Sequence, residues 1–171
     1  MTAKFVPDNI IIADSTVLIN FIDSGHFDLL LDLFNGRLHI TDIVKREVKK
    51  GKAQLQKAID LGKIVVHPTD LQTLQHISRS FSAFDPGEAS CFLLATARSW
   101  RVATDDGAGK AFVKQTLGSA YLVTTFDILL EARFSGKIDS KQALTIITEM
   151  STLANFQYSN ESFSKFKNQL K

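Results

Sequence analysis

The ten residues RVATDDGAGK at positions 101–110 show how this chain is built. A short apolar run leads directly into two adjacent aspartates, and a small-residue turn and a lysine follow. Continuous apolar character over a few residues is typical of a strand covered on both faces, as in a parallel sheet. The stretch therefore predicts a strand over 101–104 that ends in two carboxylates, followed by a helix over 108–116.

The same alternation of strand and helix recurs along the chain. Further candidate strands are 10–14 (IIIAD), 38–41, 64–67 and 120–123, and apolar residues at three- and four-residue spacing predict helices over 26–34, 42–50, 52–61, 70–80, 86–99 and 126–135. This order predicts the α/β class: a three-layer α/β/α domain with a central parallel sheet of about five strands. From residue 139 the pattern is helical only. We therefore predict one domain over 1–138 and a C-terminal helical extension over 139–171, packed on the same domain.

Composition restricts the possible classes of protein. The 171 residues contain 20 basic and 18 acidic side chains, a balance that argues against a strongly basic nucleic-acid coat protein. Cys91 is the single cysteine, so no internal disulfide forms, and we expect it to be a small core residue of a cytoplasmic protein. The apolar run at 10–13 is interrupted by Asp14 too early for a membrane span.

Carboxylates from distant parts of the sequence fall at predicted strand ends, where parallel α/β sheets bind ligands. Asp14 ends the first strand, Asp105 and Asp106 end the fourth, Glu88 lies in the first turn of the preceding helix, and Glu47 lies in the helix after the second strand. Two unit charges about 4 Å apart repel by roughly 4 kcal/mol at an effective dielectric near 20, so such a cluster requires cations. All-oxygen donors favour Mg²⁺ or Mn²⁺ over zinc, and a site of this kind supports phosphodiester hydrolysis.

Each of these acids also has a structural interpretation, and the sequence alone leaves both open. The structural roles are an N-cap for Asp14, the third position of a capping box begun by Asp85 for Glu88, a solvated ion pair for Glu47, and an ordinary turn for Asp105–Asp106.

The acidic motifs occur in a recognisable order. They are IIADSTVLINF (11–21), the glutamate of TDIVKREV (41–48), DPGEASCFLLATA (85–97), ATDDGAGKAF (103–112) and LVTTFDILLEARFSGKI (122–138). In this order they resemble the PIN-domain nucleases, and the branch of VapC-like toxin ribonucleases with a GEA signature and a DD pair followed by a basic residue fits best. A glycine often found early in the last segment of that branch is missing here. The resemblance covers about residues 10–138.

The resemblance implies a PIN-like nuclease domain with Mg²⁺- or Mn²⁺-dependent endoribonuclease activity on an RNA substrate. Many relatives are toxins neutralised by a cognate antitoxin. By this resemblance, the catalytic acids of the family correspond to Asp14, Glu47, Glu88, Asp105 and Asp106. All of these except Glu47 are expected to bind metal. Asp106 is favoured over Asp105 as the last acid. Ser15 and Thr104 are expected to orient ligands or waters, and Lys110 to contact phosphate, with Arg98 a further candidate for that contact.

Other functions remain as alternatives. A catalytically inactive PIN-like module would bind RNA or protein without cutting it. A phosphoacceptor domain would place its paired acids after the first strand, and an aspartate phosphatase would need an aspartate where Thr16 stands. In the tail, the helical spacing of Phe156, Phe163, Phe166 and Leu170 predicts core packing, with a homodimer or antitoxin surface as the alternative.

Overall fold

The computed structural model describes residues 9–171, so residues 1–8 of the predicted first domain lie outside the described part. It contains the parallel sheet of five strands that the sequence predicts, with helices packed against it. The strands are β1 (Ile10–Ile12), β2 (Leu38–Thr41), β3 (Ile64–His67), β4 (Arg101–Ala103) and β5 (Leu122–Val123), arranged in the order β3-β2-β1-β4-β5. The predicted three-layer α/β/α architecture is confirmed.

Helices connect the strands and continue beyond the last one. They are α1 (Ser15–Asp23), α2 (Phe27–Phe34), α3 (Asp42–Glu47), α4 (Lys52–Asp60), α5 (Leu71–Ser80), α6 (Pro86–Arg98), α7 (Gly107–Thr116), α8 (Thr125–Phe134), α9 (Ser140–Leu153) and α10 (Asn160–Gln169). None of the helices in the described residues has the length and apolar character that crossing a membrane requires.

The strand order reverses beside β1, and this reversal places the site. The chain runs from β1 through β2 to β3 on one side, then returns to β4 on the other side of β1. Ile12 pairs with Ala103, so β1 and β4 end at the same level of the sheet. Asp14 and Asp105 follow these two ends within two residues. This is the switch point at which open α/β sheets bind ligands.

Three predicted boundaries differ from the structure by two or more residues. The strand predicted over 120–123 is reduced to two residues, because Ser119–Tyr121 forms a 3-10 turn. The helix predicted over 42–50 ends at Glu47, since Val48 adopts an extended conformation. The first strand ends at Ile12 rather than residue 14, because the Asp14 side chain accepts a hydrogen bond from the backbone of the helix that follows. All three differences are at element ends, where capping competes with apolar pattern.

The C-terminal helices pack on the sheet domain. α9 contacts α1 and α8, and α10 contacts α8. The predicted burial of tail residues is observed for Phe156, Phe166 and Leu170, while Phe163 is partly buried against the core. An aromatic cluster joins α8 to the tail; its members are Phe126, Phe156, Tyr158, Phe163 and Phe166. This packing fixes the loop between α9 and α10.

Candidate active site

A cleft of about 460 Å³ lies at the carboxyl edge of the sheet. Its acidic residues come from three separate segments of the chain, and the rest of its lining comes from α1 and from the loop between α9 and α10. The acidic residues are Asp14, Asp85, Glu88, Asp105 and Asp106; the others are Thr16, Ile19, Asn20, Ala154, Asn155, Phe156 and Gln157. We refer to this cleft as the acidic cleft.

Asp14 has both a capping role and a place in the acidic cleft. Its Oδ1 accepts a hydrogen bond of 2.9 Å from the Thr16 backbone N–H, which caps α1. Its charge also raises the pKa values of Glu47, Glu88 and Asp105. The structural interpretation of Asp14 is therefore correct, and it does not remove the carboxylate from the cleft.

Two substitutions separate these roles of Asp14. Asparagine caps helices as well as aspartate does, so in chelator Asp14→Asn should match or exceed the melting temperature of the parent. Asp14→Ala loses the cap as well as the charge and should be less stable than Asp14→Asn by about 1 kcal/mol. Thermal unfolding of both variants checks this order. An Asp14→Asn protein as unstable as Asp14→Ala would contradict electrostatic repulsion within the cleft.

Asp105 and Asp106 make different contacts. Both oxygens of Asp105 accept hydrogen bonds from Thr125, at 2.9 Å from its backbone N–H and 2.5 Å from its hydroxyl, and so fix the start of α8. Burial nevertheless raises the pKa of Asp105 to about 6, with the Thr125 hydrogen bonds and the Lys110 charge acting in the opposite direction. Asp106 caps α7 through a 2.8 Å bond from the Gly109 N–H and is exposed to solvent.

Glu88 is the acid whose environment is most unusual for a structural role. Asp85 accepts the Glu88 N–H at 2.9 Å, which is one of the two bonds of the predicted capping box. Glu88 Oε1 is buried without any hydrogen-bond partner. Only 9% of the residue is exposed. Burial, together with the Asp85, Asp106 and Asp14 carboxylates, raises its pKa to about 7. A buried oxygen with no partner is destabilising and suits a ligand that the folded chain itself does not supply.

Glu47 lies beside the cleft rather than in its lining. The predicted ion pair on α3 forms instead between Arg46 and Asp42. Burial and the Asp85 charge raise the pKa of Glu47, while a hydrogen bond from the Ser15 side chain opposes them. A Cβ atom placed on Gly87 would come within 2.2 Å of Glu47 Oε1, so this carboxylate lies directly against the start of α6.

The residues predicted to support the site occupy different places. Thr104 is fully buried and accepts the Asp106 N–H at 3.2 Å, which orients the turn that carries Asp106. Lys110 lies in the first turn of α7, where its charge lowers the pKa of Asp105. Arg98 stacks over the Trp100 ring at the other end of α6 and does not line the acidic cleft.

The chemistry of these donors fits a hard divalent cation, although the structure shows no ready-made metal site. Among residues 9–171, no group of three or more His, Cys, Asp and Glu side chains is arranged to hold a metal ion. However, Glu88 Oε1 has no partner, and burial together with neighbouring carboxylates raises the pKa values of Glu47, Glu88 and Asp105, an environment that a bound cation would relieve. Carboxylate oxygens are the ligands that Mg²⁺ and Mn²⁺ prefer.

Sequence reasoning missed Asn20, Thr16 and the loop Ala154–Gln157. Asn20 is 3% exposed, and its Nδ2 has no hydrogen-bond partner. A signal for Asn20 existed, because an amide within the apolar run VLINFI occupies a buried position of α1. No comparable signal marks the loop, which reaches the cleft only through the packing of α9 and α10.

Fold and site together define a three-layer α/β domain with acidic residues gathered at the switch point of a parallel sheet. Residues 10–171 match the sequence model of a family described as a PIN domain, so the chain belongs to the PIN-domain family. The match includes residues 139–171, which carry the loop that lines the cleft. PIN domains are generally nucleases, so the broad enzyme class of the chain is hydrolase. Comparison with curated proteins and with solved structures gives no significant match.

Proposed function

We propose that this PIN domain is a Mg²⁺- or Mn²⁺-dependent endoribonuclease that hydrolyses phosphodiester bonds of single-stranded or structured RNA in the cytoplasm. The observation that carries the proposal is the buried, unpartnered Oε1 of Glu88, which lies among the charges of Asp14, Asp85 and Asp106 at the switch point of the sheet. A purely structural carboxylate in this position would destabilise the fold without compensation.

The contacts of the residues support the roles proposed for them. The cation would be held by Asp14, Glu88 and Asp106, with Asp105 beside them. It would lower the pKa of bound water and offset charge on the phosphate. Glu47 has a raised pKa and a hydrogen bond from Ser15, so its carboxylate suits a general base that accepts a proton from water. The Thr104 hydroxyl positions Asp106 by accepting a hydrogen bond from the Asp106 backbone N–H. Lys110 contributes positive charge beside Asp105 and is proposed to contact phosphate.

A binding module without catalysis is not favoured. Such a module has no need of several carboxylates placed close enough to raise one another's pKa values. The negative charge of the cleft would also oppose the binding of a polyanion such as RNA. In this chain every acidic position of the family pattern is present, and three of the acids have raised pKa values. These features suit cation-assisted hydrolysis better than passive RNA binding.

Cleavage of labelled, mixed-sequence single-stranded RNA tests the proposal. Parent protein with Mg²⁺ or Mn²⁺ should cut the RNA, while chelator or Asp106→Asn should abolish cutting. Asp139→Asn is the matched control, because Asp139 also caps a helix but lies outside the cleft. Asp139→Asn should retain the parent rate. DNA of the same sequence tests the preference for RNA.

Thermal stability gives a second measurement that does not depend on turnover. A cation at 100 times its dissociation constant should stabilise the parent by about 2.7 kcal/mol, and Asp106→Asn much less. Parent protein that neither cuts RNA nor is stabilised by either cation would overturn the proposal.

The resemblance to toxin ribonucleases supports one more proposal: the chain is the toxin of a toxin–antitoxin pair, with a cognate antitoxin protein as partner and a homodimer as its assembly. Induced expression of the parent should then arrest growth, and Asp106→Asn should not. Growth unaffected by an active parent enzyme would contradict the toxin role and leave the nuclease intact.

A further inference from the structure

Three neutral amide side chains line the acidic cleft together with its carboxylates. They are Asn20 from α1 and Asn155 and Gln157 from the loop between α9 and α10. We call these three residues the amide wall. Among the residues that the structure describes, no lysine, arginine or histidine lines this cleft. The cleft therefore presents a charged part suited to a cation with phosphate and a neutral part with both donors and acceptors.

The loop holds its two amides in a fixed arrangement. Asn155 has a left-handed backbone with φ of +56°, a conformation in which asparagine is enriched. The Phe156 N–H bonds to the Met150 carbonyl at 3.1 Å, and the Phe156 ring is buried in the aromatic cluster. Gln157 Nε2 donates to Asn155 Oδ1 at 2.9 Å. The loop is thus anchored at Phe156, between its two polar residues.

This internal hydrogen bond leaves the Asn155 amide nitrogen and the Gln157 amide oxygen uncommitted. Asn155 Nδ2 and Gln157 Oε1 make no other hydrogen bond in the described part of the chain, and both residues are exposed. An adjacent donor and acceptor are complementary to the edge of an unpaired nucleobase, which presents the same two types of group. A phosphate, by contrast, offers acceptors only and would face the Gln157 oxygen unfavourably.

Asn20 provides independent evidence that the cleft takes a polar ligand. Its side chain is buried, it lines the cleft, and Nδ2 has no partner. A buried donor without an acceptor is costly, and native proteins rarely contain one. An acceptor atom on a ligand in the cleft would satisfy it. Asn20 and the loop therefore offer hydrogen-bonding groups to a ligand in the cleft from two elements that are far apart in sequence.

We propose that the amide wall recognises an unpaired nucleobase next to the phosphate held at the carboxylates, and so sets the base preference of cleavage. The inference rests on the proposed nuclease function. It assigns substrate specificity to the C-terminal segment rather than to the sheet domain alone. The reacting groups and the base-reading groups would then belong to different walls of one cleft.

Selectivity of cleavage is the first test. The ratio kcat/KM is measured on oligo-A, oligo-C, oligo-G and oligo-U for the parent, for Asn155→Ala/Gln157→Ala and for a matched control, Asn168→Ala/Gln169→Ala. The control removes the same two amide types from exposed positions outside the cleft. Two hydrogen bonds together are worth about tenfold or more, so their loss should remove most or all of an approximately tenfold preference of the parent. The control should keep the preference of the parent.

Asn20→Leu distinguishes recognition from packing. The two side chains are of similar size, so a buried donor is removed without leaving a cavity. Under the proposal, the variant keeps or raises the melting temperature of the parent and discriminates less between bases. A lower melting temperature with unchanged base preference would assign Asn20 to the core and overturn its place in the amide wall.

Nucleoside binding without metal is the second test. Side-chain amide NMR signals of the amide wall are followed during titration with the four nucleosides and with ribose 5-phosphate. Shifts caused by a nucleoside and not by ribose 5-phosphate support base recognition. Shifts caused only by ribose 5-phosphate, or unchanged base preference in the loop variant, overturn it. If the parent cuts no RNA, the proposed nuclease function fails, while the titration still decides whether the wall binds a base.

Discussion

Glu88→Gln is expected to lower kcat/KM for cleavage of single-stranded RNA by about 10³-fold. The substitution keeps the shape of the side chain but removes the charge that would hold a cation, and charge stabilisation by a metal site is worth several kcal/mol, with each 1.36 kcal/mol a factor of ten. Rates with saturating Mg²⁺ or Mn²⁺ provide the measurement. Glu161→Gln, on the exposed face of α10, is the matched control and should retain the parent rate. Equal rates for parent and Glu88→Gln would exclude Glu88 from the catalytic site.

The same substitution should stabilise the protein in chelator, in a manner that depends on pH. Folding raises the pKa of Glu88 from 4.5 to about 7. Below the lower value both states are protonated and no penalty exists. Between the two values only the unfolded state loses the proton, so stability falls as pH rises. Above the upper value the penalty is constant, on the order of 3 kcal/mol. The stability advantage of Glu88→Gln should therefore appear across this pH window, as measured by urea unfolding.

Gly87→Ala is expected to lower cleavage about 100-fold through Glu47, because an active-site displacement near 1 Å can cost that much. The added Cβ would lie 2.2 Å from Glu47 Oε1, so the flexible carboxylate must move away from the start of α6. The fold itself should tolerate the change, since alanine is up to about 1 kcal/mol better than glycine in a helix. Cleavage rate and melting temperature, measured together, check this separation.

Gly107→Ala is the matched control for Gly87→Ala. Gly107 also opens a helix at the carboxyl edge of the sheet, but a Cβ there meets nothing within 4 Å. This control should keep the parent rate and stability. An active Gly87→Ala protein would show that the position of Glu47 is not important, whereas a slow Gly107→Ala protein would indicate a general effect of these helix starts.

Most strands and helices of the fold could be predicted from local sequence. The apolar run of β1 and the mixed run of β2 are both buried, as parallel strands between two helical layers must be. The cap residues Asp85 and Asp139 begin helices where their side chains predict. These features depend on residues within about one turn or one strand. Predictions were less accurate for β5, where a 3-10 turn replaces half of the expected strand.

Several residues in the acidic cleft have local capping roles that do not predict their place in it. Asp14 and Asp106 would be ordinary N-caps in any α/β protein; here the strand order also brings them to one edge. Asp105 was predicted as a ligand, and its bonds to Thr125 show that it also fixes α8. Whether these acids bind a cation remains the prediction that the cleavage and stability experiments address.

The sequence by itself determined the alternating elements, the helix starts and the presence of acids at strand ends, because each depends on neighbouring residues in the chain. Only the tertiary structure decided that Glu88 has a buried oxygen without a partner, that Glu47 lies against Gly87, and that the loop Ala154–Gln157 completes the cleft. These three features depend on segments that are separated by tens of residues in the sequence. They depend on the strand order and on the packing of α9 and α10, which no local pattern encodes.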